Sequence, residues 1–138
     1  MSRIIVISNR LPVTINRTEQ GLHFHPSSGG LATGLNSLST DMERVWIGWP
    51  GTEINDTKEQ QKVKDDIAKD GMVPVFLTQD DVENFYEGFS NKTLWPHFHY
   101  FTQYTRYNDD HWNAYVEVNE KFAKVVNEVV RDLSLIHI

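Results

Sequence analysis

Arg3-Ile4-Ile5-Val6-Ile7-Ser8-Asn9-Arg10 is the stretch on which the fold turns. Ile4 to Ile7 is a continuous run of β-branched residues, the composition of a strand buried on both faces in a parallel sheet under helices. The run stops at Ser8-Asn9-Arg10, and Pro12 keeps the following backbone out of a helix. In open α/β sheets ligands sit outside the carboxyl ends of the strands. Arg10 occupies such a strand end, where its planar fork suits one phosphate. A solvated surface arginine fits the same position equally well.

Outward from this strand, Asn16 to Gln20 is polar and reads as a loop tip. Ser27-Ser28-Gly29-Gly30 precedes Leu31, Leu35 and Leu38 at roughly helical spacing, so strand, glycine-rich turn and helix follow in the order of a βα unit. Val45-Trp46-Ile47-Gly48-Trp49 reads as a second strand ended by Pro50-Gly51. Thr57 to Asp70 is helix-compatible, with Val63 and Ile67 on one face and Gly71 as its stop. Met72 to Leu77 reads as a third strand. Thr78-x-x-Asp81 resembles a capping box opening a helix whose apolar face holds Val82, Phe85, Tyr86 and Phe89. Asn91 to Tyr107 is aromatic-rich and irregular. Asp109-Asp110 opens a long helix with Trp112, Tyr115, Val116, Asn119, Phe122, Ala123, Val126 and Val130 at i, i+3, i+4, i+7 spacing, running to about Arg131. Trp112 and Phe122 on this stripe read as core. Leu133 to Ile138 could start a further strand. Strands alternating with helices predict an α/β domain with a mainly parallel sheet.

The bulk numbers agree with a folded domain. The 138 residues are 39% hydrophobic and 12% aromatic, with four tryptophans. Such rings fill cores and also line sugar sites, where a flat ring covers the apolar face of a pyranose. Net charge is -6, and no basic stripe is present to neutralise a nucleic-acid backbone, so no nucleic-acid partner is expected. The absence of cysteine excludes disulfides, thiolate catalysis and zinc-thiolate sites. The apolar run at the N-terminus is too short for a signal peptide or a membrane span, and the chain is read as cytoplasmic, with no membrane partner.

Two further groups of residues could carry chemistry. Glycines at a helix start, as in Gly29-Gly30-Leu31-Ala32-Thr33-Gly34, let a ligand approach the backbone, and the free N–H groups there attract anions. The stretch matches neither G-x-G-x-x-G nor a P-loop, and a turn with tight helix packing is the plainer reading. His97-x-His99 has a spacing open to metal binding, but no neighbouring carboxylate or thiol completes a ligand set, so these read as packing histidines and no metal is expected.

Taken together, the segments resemble a known family. Ser8-Asn9-Arg10-Leu11-Pro12-Val13, Ser28-Gly29-Gly30-Leu31-Ala32-Thr33-Gly34 and Trp46-Ile47-Gly48-Trp49-Pro50-Gly51 are similar to the opening of the trehalose-6-phosphate synthases. Phe85-Tyr86-x-x-Phe89-Ser90-Asn91, Leu94-Trp95-Pro96-x-Phe98-His99-Tyr100 and Tyr115-x-x-Val118-Asn119-x-x-Phe122-Ala123 continue the match in order, to about Asp132. The resemblance implies a Rossmann-like, incomplete N-terminal domain of a two-domain GT-B glycosyltransferase, residues 1–138 being its acceptor-binding part and the nucleotide-sugar domain being absent. It implies transfer of glucose from UDP-glucose to glucose 6-phosphate, with retention, without a metal or other cofactor. It places Arg10 on the acceptor phosphate, Trp49, Tyr86 and Trp95 around the acceptor sugar, and the backbone of Gly29 and Gly30 before the donor diphosphate. It assigns no catalytic residue within this chain.

The last residues depart from the family, which continues into a strand and a His-Asp-Tyr segment. Here His137 falls under the His and Ile138 where the Asp should stand. The Arg and Lys that in the family stabilise the departing UDP lie beyond this sequence, so the chain alone is expected to be inactive. Two other readings stay open: a GT-B enzyme with another phosphorylated acceptor, and a non-catalytic relative that senses sugar phosphates. A homo-oligomer is left open for the full-length protein.

Overall fold

The opening run does pair as a parallel strand. In the computed structural model, which describes residues 3–27, 29–37 and 43–132, β1 (Arg3–Arg10) lies beside β4 (Glu43–Trp49), and β4 beside β5 (Met72–Pro74). The sheet order is β1-β4-β5, all parallel. Between β1 and β4 the chain forms an antiparallel hairpin, β2 (Val13–Thr18) and β3 (Gly21–Pro26), and then α1 (Gly30–Asn36). Helix α2 (Thr57–Ala68) connects β4 to β5. The chain divides into two compact units, Met1–Phe76 and Leu77–Ile138.

The core of the first unit is built by Leu11, Val13, Ile15, Trp46, Ile54, Val63 and Ile67, each at most 8% exposed. Val63 and Ile67 lie one turn apart on α2 and supply its whole buried face. Burying each such side chain contributes roughly 1.5–3 kcal/mol, so the seven together hold the hairpin, sheet and α2 as one body. The Asp56 carboxylate accepts from the Glu59 N–H and caps α2. Past its end Gly71, at φ +70, turns the chain toward β5.

Three expectations for this unit change. The hairpin was not legible: Asn16 to Thr18 belong to a strand, and only Glu19-Gln20 form the turn, with Gly21 at φ +114. β1 is not buried on both faces, because it is an edge of the described sheet and Ile7 stays 53% exposed. The third strand stops at Pro74, with the Val75 N–H making a last bond to the Gly48 carbonyl (2.8 Å), instead of reaching Leu77. Leu38 lies outside the described residues.

In the second unit Thr78 and Asp81 form the expected capping box over α3 (Gln79–Asp81). The chain then widens into a π-wound helix, Val82–Leu94, and tightens again in α4 (Trp95–Phe98). The N–H of Trp95 donates to the Ser90 carbonyl five residues back, the π pattern. Wider winding changes which residues share a face: Val82, Gly88 and Thr93 are buried, whereas Tyr86 is 44% exposed. The helical run ends in a Schellman motif, Phe101 N–H to Pro96 carbonyl (2.8 Å) and Tyr100 N–H to His97 carbonyl (3.3 Å), with Tyr100 left-handed at φ 62. Asn91 to Phe98 is thus helical, not irregular. A short 3-10 turn, Thr102–Tyr104, follows.

Helix α5 (Asp109–Asp132) has its first N–H groups capped by Asn108, whose Oδ1 accepts from Asp110 (2.7 Å) and His111 (3.2 Å). Its inward stripe runs through Ala114, Tyr115, Val118, Phe122 and Val125, with Val118 fully buried, while Val116, Asn119 and Ala123 face out. Trp112 is therefore not core but 51% exposed, and Phe122 is half-buried. Phe89 of the π segment meets Tyr115 at 4.6 Å and Trp112 at 5.4 Å between ring centroids. Leu133 to Ile138 lie outside the described residues. Among the described residues no helix is long and apolar enough to cross a membrane.

Candidate functional site

Arg10 reaches its place through an irregularity at the carboxyl end of β1. Pairing runs Arg3↔Glu43 to Ile7↔Ile47 and then shifts, so that Arg10 faces Trp49. A bulge of this kind bends a strand and re-aims a side chain. Gly48 makes the bend sterically feasible: a Cβ there would fall 2.8 Å from the Ser8 carbonyl oxygen and 3.0 Å from Arg10 C and Leu11 N. The bend is also tied down by hydrogen bonds. The Trp46 indole N–H donates to Ser8 Oγ (2.8 Å), and the Ser8 hydroxyl donates to the Arg10 carbonyl (2.6 Å). The Leu11 N–H donates to the Trp49 carbonyl (2.9 Å).

The side chains follow from that frame. The Arg10 guanidinium carbon stands 5.6 Å over the Trp49 ring, a cation–π arrangement. Its Nη2 donates to Thr14 Oγ1 at 2.9 Å. Arg10 itself is exposed, so its remaining N–H donors are open to solvent. Beside it, Trp49 Nε1 and Asn9 Oδ1 are buried without a hydrogen-bond partner among the described residues. Such orphaned groups are uncommon, and the second unit holds two more, Thr105 Oγ1 and His111 Nδ1. Trp46, the other tryptophan of its strand, is buried in the core, which leaves Trp49 as the one beside Arg10.

Gly29 is the N-cap of α1, with extended backbone and no side chain to cap it; its carbonyl accepts from the Thr33 N–H at 2.9 Å. Among the described residues, chain neighbours and the helix's own backbone aside, no heavy atom lies within 4 Å of where a Cβ would stand on Gly29, Gly30 or Gly34.

In the second unit Tyr86 rides the π segment and Trp95 opens α4, where Trp95 is 63% exposed. His99 stacks on Trp95 with 3.9 Å between ring centroids, and its Nδ1 meets the Trp95 carbonyl at 2.8 Å. His97 lies edge-on to Phe98. Both histidines are occupied by aromatic neighbours, and among the described residues no three His, Asp or Glu side chains gather as metal ligands. An open cavity of about 450 Å³ in this unit is lined by Phe89, Leu94, His97, Tyr107 and Trp112 among others, but by neither Tyr86 nor Trp95.

The sequence reading missed Thr14, Gly51, Ser8 and Trp46 as the surroundings of Arg10. Gly51 carried a signal only as a strand terminator, and nothing in the order of residues announces the bulge.

A parallel sheet with flanking helices, a cation at a strand end and glycines at a helix start form a Rossmann-like α/β part. A sequence model of glycosyltransferase family 20 matches residues 2–138, and the chain belongs to that family. It is 44% identical over 136 residues to an α,α-trehalose-phosphate synthase [UDP-forming] of Botryotinia fuckeliana, covering 98% of this chain and 26% of that protein. It is 43% identical over 146 residues to a bifunctional trehalose-6-phosphate synthase/phosphatase of Thermoproteus tenax, covering 98% and 19%. Among solved structures, a UDP-forming trehalose-phosphate synthase from Burkholderia xenovorans superposes with TM-score 0.64 at 31% identity, over 94% of this chain and 25% of that one. An E. coli structure named for trehalose-6-phosphate, bound with UDP-2-fluoro glucose, superposes with TM-score 0.66 at 27% identity, over 93% and 25%. The chain thus spans about a quarter of the length of most of these relatives and less of the bifunctional one.

Proposed function

We propose that this chain is the acceptor-side part of a UDP-forming trehalose-phosphate synthase. The whole enzyme would move glucose from UDP-glucose to the anomeric oxygen of glucose 6-phosphate, releasing UDP and giving α,α-trehalose 6-phosphate with retention. In this reading Arg10 grips the acceptor phosphate, and Trp49, Tyr86 and Trp95 bound the acceptor sugar. The backbone of Gly29 and Gly30 faces the donor diphosphate, and no metal takes part. The nucleotide-sugar domain belongs to the length of the relatives that this chain does not cover, so the 138 residues alone turn over no substrate. The protein works in the cytoplasm, and any homo-oligomer belongs to the full-length form.

The observation that carries the proposal is the placement of Arg10. A permanently charged fork at a strand end, exposed and braced over Trp49, suits bidentate contact with a phosphate. The names of the relatives give the nucleotide, and the E. coli structure holds a UDP-sugar analogue.

Calorimetric titration of this chain with glucose 6-phosphate, beside an Arg10→Ala variant, tests it. Binding by the wild type that the variant loses is expected; equal binding by both would remove Arg10 from the site. Titrating other sugar phosphates alongside separates this acceptor from the others a GT-B enzyme could use. Turnover by the chain alone would overturn its assignment as an inactive part.

A further inference from the structure

An arginine that must meet a phosphate gains by being aimed beforehand. A free side chain of this kind holds about 2 kcal/mol of rotamer entropy, and freezing it at binding weakens affinity. Two neighbours already restrain Arg10, and a third leaves it room. Thr14 Oγ1 accepts from Nη2 at 2.9 Å, and the Trp49 ring lies under the guanidinium. Gly51 leaves it room: a Cβ there would fall 2.5 Å from Nη2, 3.3 Å from Cζ and 3.4 Å from the Thr14 methyl. The frame behind these contacts is tied as well, since the Ile15 N–H donates to the Pro50 carbonyl at 3.1 Å. That bond fixes Thr14 of β2 beside the Pro50-Gly51 turn that follows β4.

We propose that Thr14 and Gly51 are positioning residues for Arg10. The Thr14 hydroxyl holds one Nη2 hydrogen, and the bare Gly51 keeps the volume that this orientation needs, so the fork's other donors stay free for an anion. This rests on the reading of Arg10 as the phosphate ligand. Neither residue needs to touch the substrate. Gly51 has a second reason to be glycine, its φ of +88, so a substitution there would mix strain with loss of space. Thr14 is the cleaner probe, because valine replaces its hydroxyl with a methyl group of similar size, and serine restores the hydroxyl.

The test has two arms on the 138-residue chain. In the first, ligand-free, NMR of 15N-labelled arginine side chains follows the Arg10 guanidinium, identified by its loss in Arg10→Lys. Slowed rotation with distinct Nη signals is expected in the wild type and in Thr14→Ser, and averaged signals in Thr14→Val. In the second, glucose 6-phosphate affinity is expected to fall about fivefold in Thr14→Val, the worth of one ordinary hydrogen bond, and to recover in Thr14→Ser. Circular dichroism confirms that each variant is folded. Averaged Arg10 signals in the wild type, or signals or affinity unmoved by Thr14→Val, would overturn the positioning role. Ordered signals that depend on Thr14, in a wild type that binds no glucose 6-phosphate, would uphold the positioning role and sink the phosphate reading instead.

Discussion

Lys121 of α5 and the backbone N–H of Thr78 both donate to the same oxygen of Asp81, Oδ2, the Thr78 bond measuring 2.8 Å. Asp81 thus caps one helix while pairing with another, at 7% exposure. Burial alone would raise its pKa, but the hydrogen bond from Lys121, with those from Thr78, prevails and holds it below the ordinary carboxylate value. A carboxyl group depressed on folding contributes stability above its unfolded pKa, about 3.9, and loses it as pH falls through the folded value. Urea midpoints are therefore expected to drop from about pH 5 downward, and less steeply in Asp81→Asn. Identical pH slopes in the two proteins would refute the assignment. Lys121 is 40% exposed, so solvent screens the pair; Lys121→Met should cost only about 1 kcal/mol at neutral pH.

Gly48 lies directly under the bulge of β1, and the atoms a Cβ would meet are all backbone. Backbone cannot swing aside as a side-chain tip can, so the two strands must separate. Gly48→Ala is expected to destabilise the first unit by about 1–3 kcal/mol, the usual range for overpacking. Because the displaced atoms belong to Ser8, Arg10 and Leu11, glucose 6-phosphate affinity should fall with stability. Denaturant titration and calorimetry on the same variant check both halves.

Tyr100 occupies the left-handed end of the helical run, where glycine is the usual residue, and its side chain is 92% exposed. The left-handed conformation costs a non-glycine residue about 1–2 kcal/mol. Glycine would remove that cost but lose about 0.5–1 kcal/mol through the entropy of the unfolded chain. With no packing to forfeit, Tyr100→Gly should stabilise the chain by up to about 1.5 kcal/mol. A lower urea midpoint in the variant would show that the tyrosine makes an energetically useful contact.

What the sequence revealed and what it hid follow from how local each signal is. The capping box at Thr78 and Asp81 needs only a three-residue spacing, and the α2 face at Val63 and Ile67 only a four-residue one; both stand in the structure. The hairpin escaped because Val13 and Ile15 are its only buried alternating pair before Asn16-Arg17-Thr18 turns polar, and Glu19-Gln20 is not a common two-residue turn. The π winding was invisible because an i+4 reading presupposes α geometry, which misplaced Tyr86 on the buried face. On α5 apolar residues occupy more than one stripe, so spacing alone favoured Val116 over Val118. At the site, Arg10 was legible as a charged residue after a strand. Thr14 and Gly51 were not, since their contacts with it arise from a bulge and a turn that only the folded chain brings together.

Trp95 offers the sharpest separation between sugar recognition and phosphate recognition. It is 63% exposed, and its described partner is the His99 ring and backbone contact of its own helical turn. Surface substitutions of this kind usually move stability by no more than ~0.5 kcal/mol. Trp95→Ala should therefore leave the urea midpoint nearly unchanged. In the proposed reading, a ring over the pyranose would contribute to glucose 6-phosphate binding and nothing to inorganic phosphate binding, whereas Arg10 would serve both. Trp95→Ala is accordingly expected to weaken glucose 6-phosphate several-fold while leaving inorganic phosphate unaffected, and Arg10→Ala to weaken the two together. If Trp95→Ala left glucose 6-phosphate affinity intact, the exposed tryptophan would have no part in the acceptor site, and its stacking on His99 would be the whole of its role.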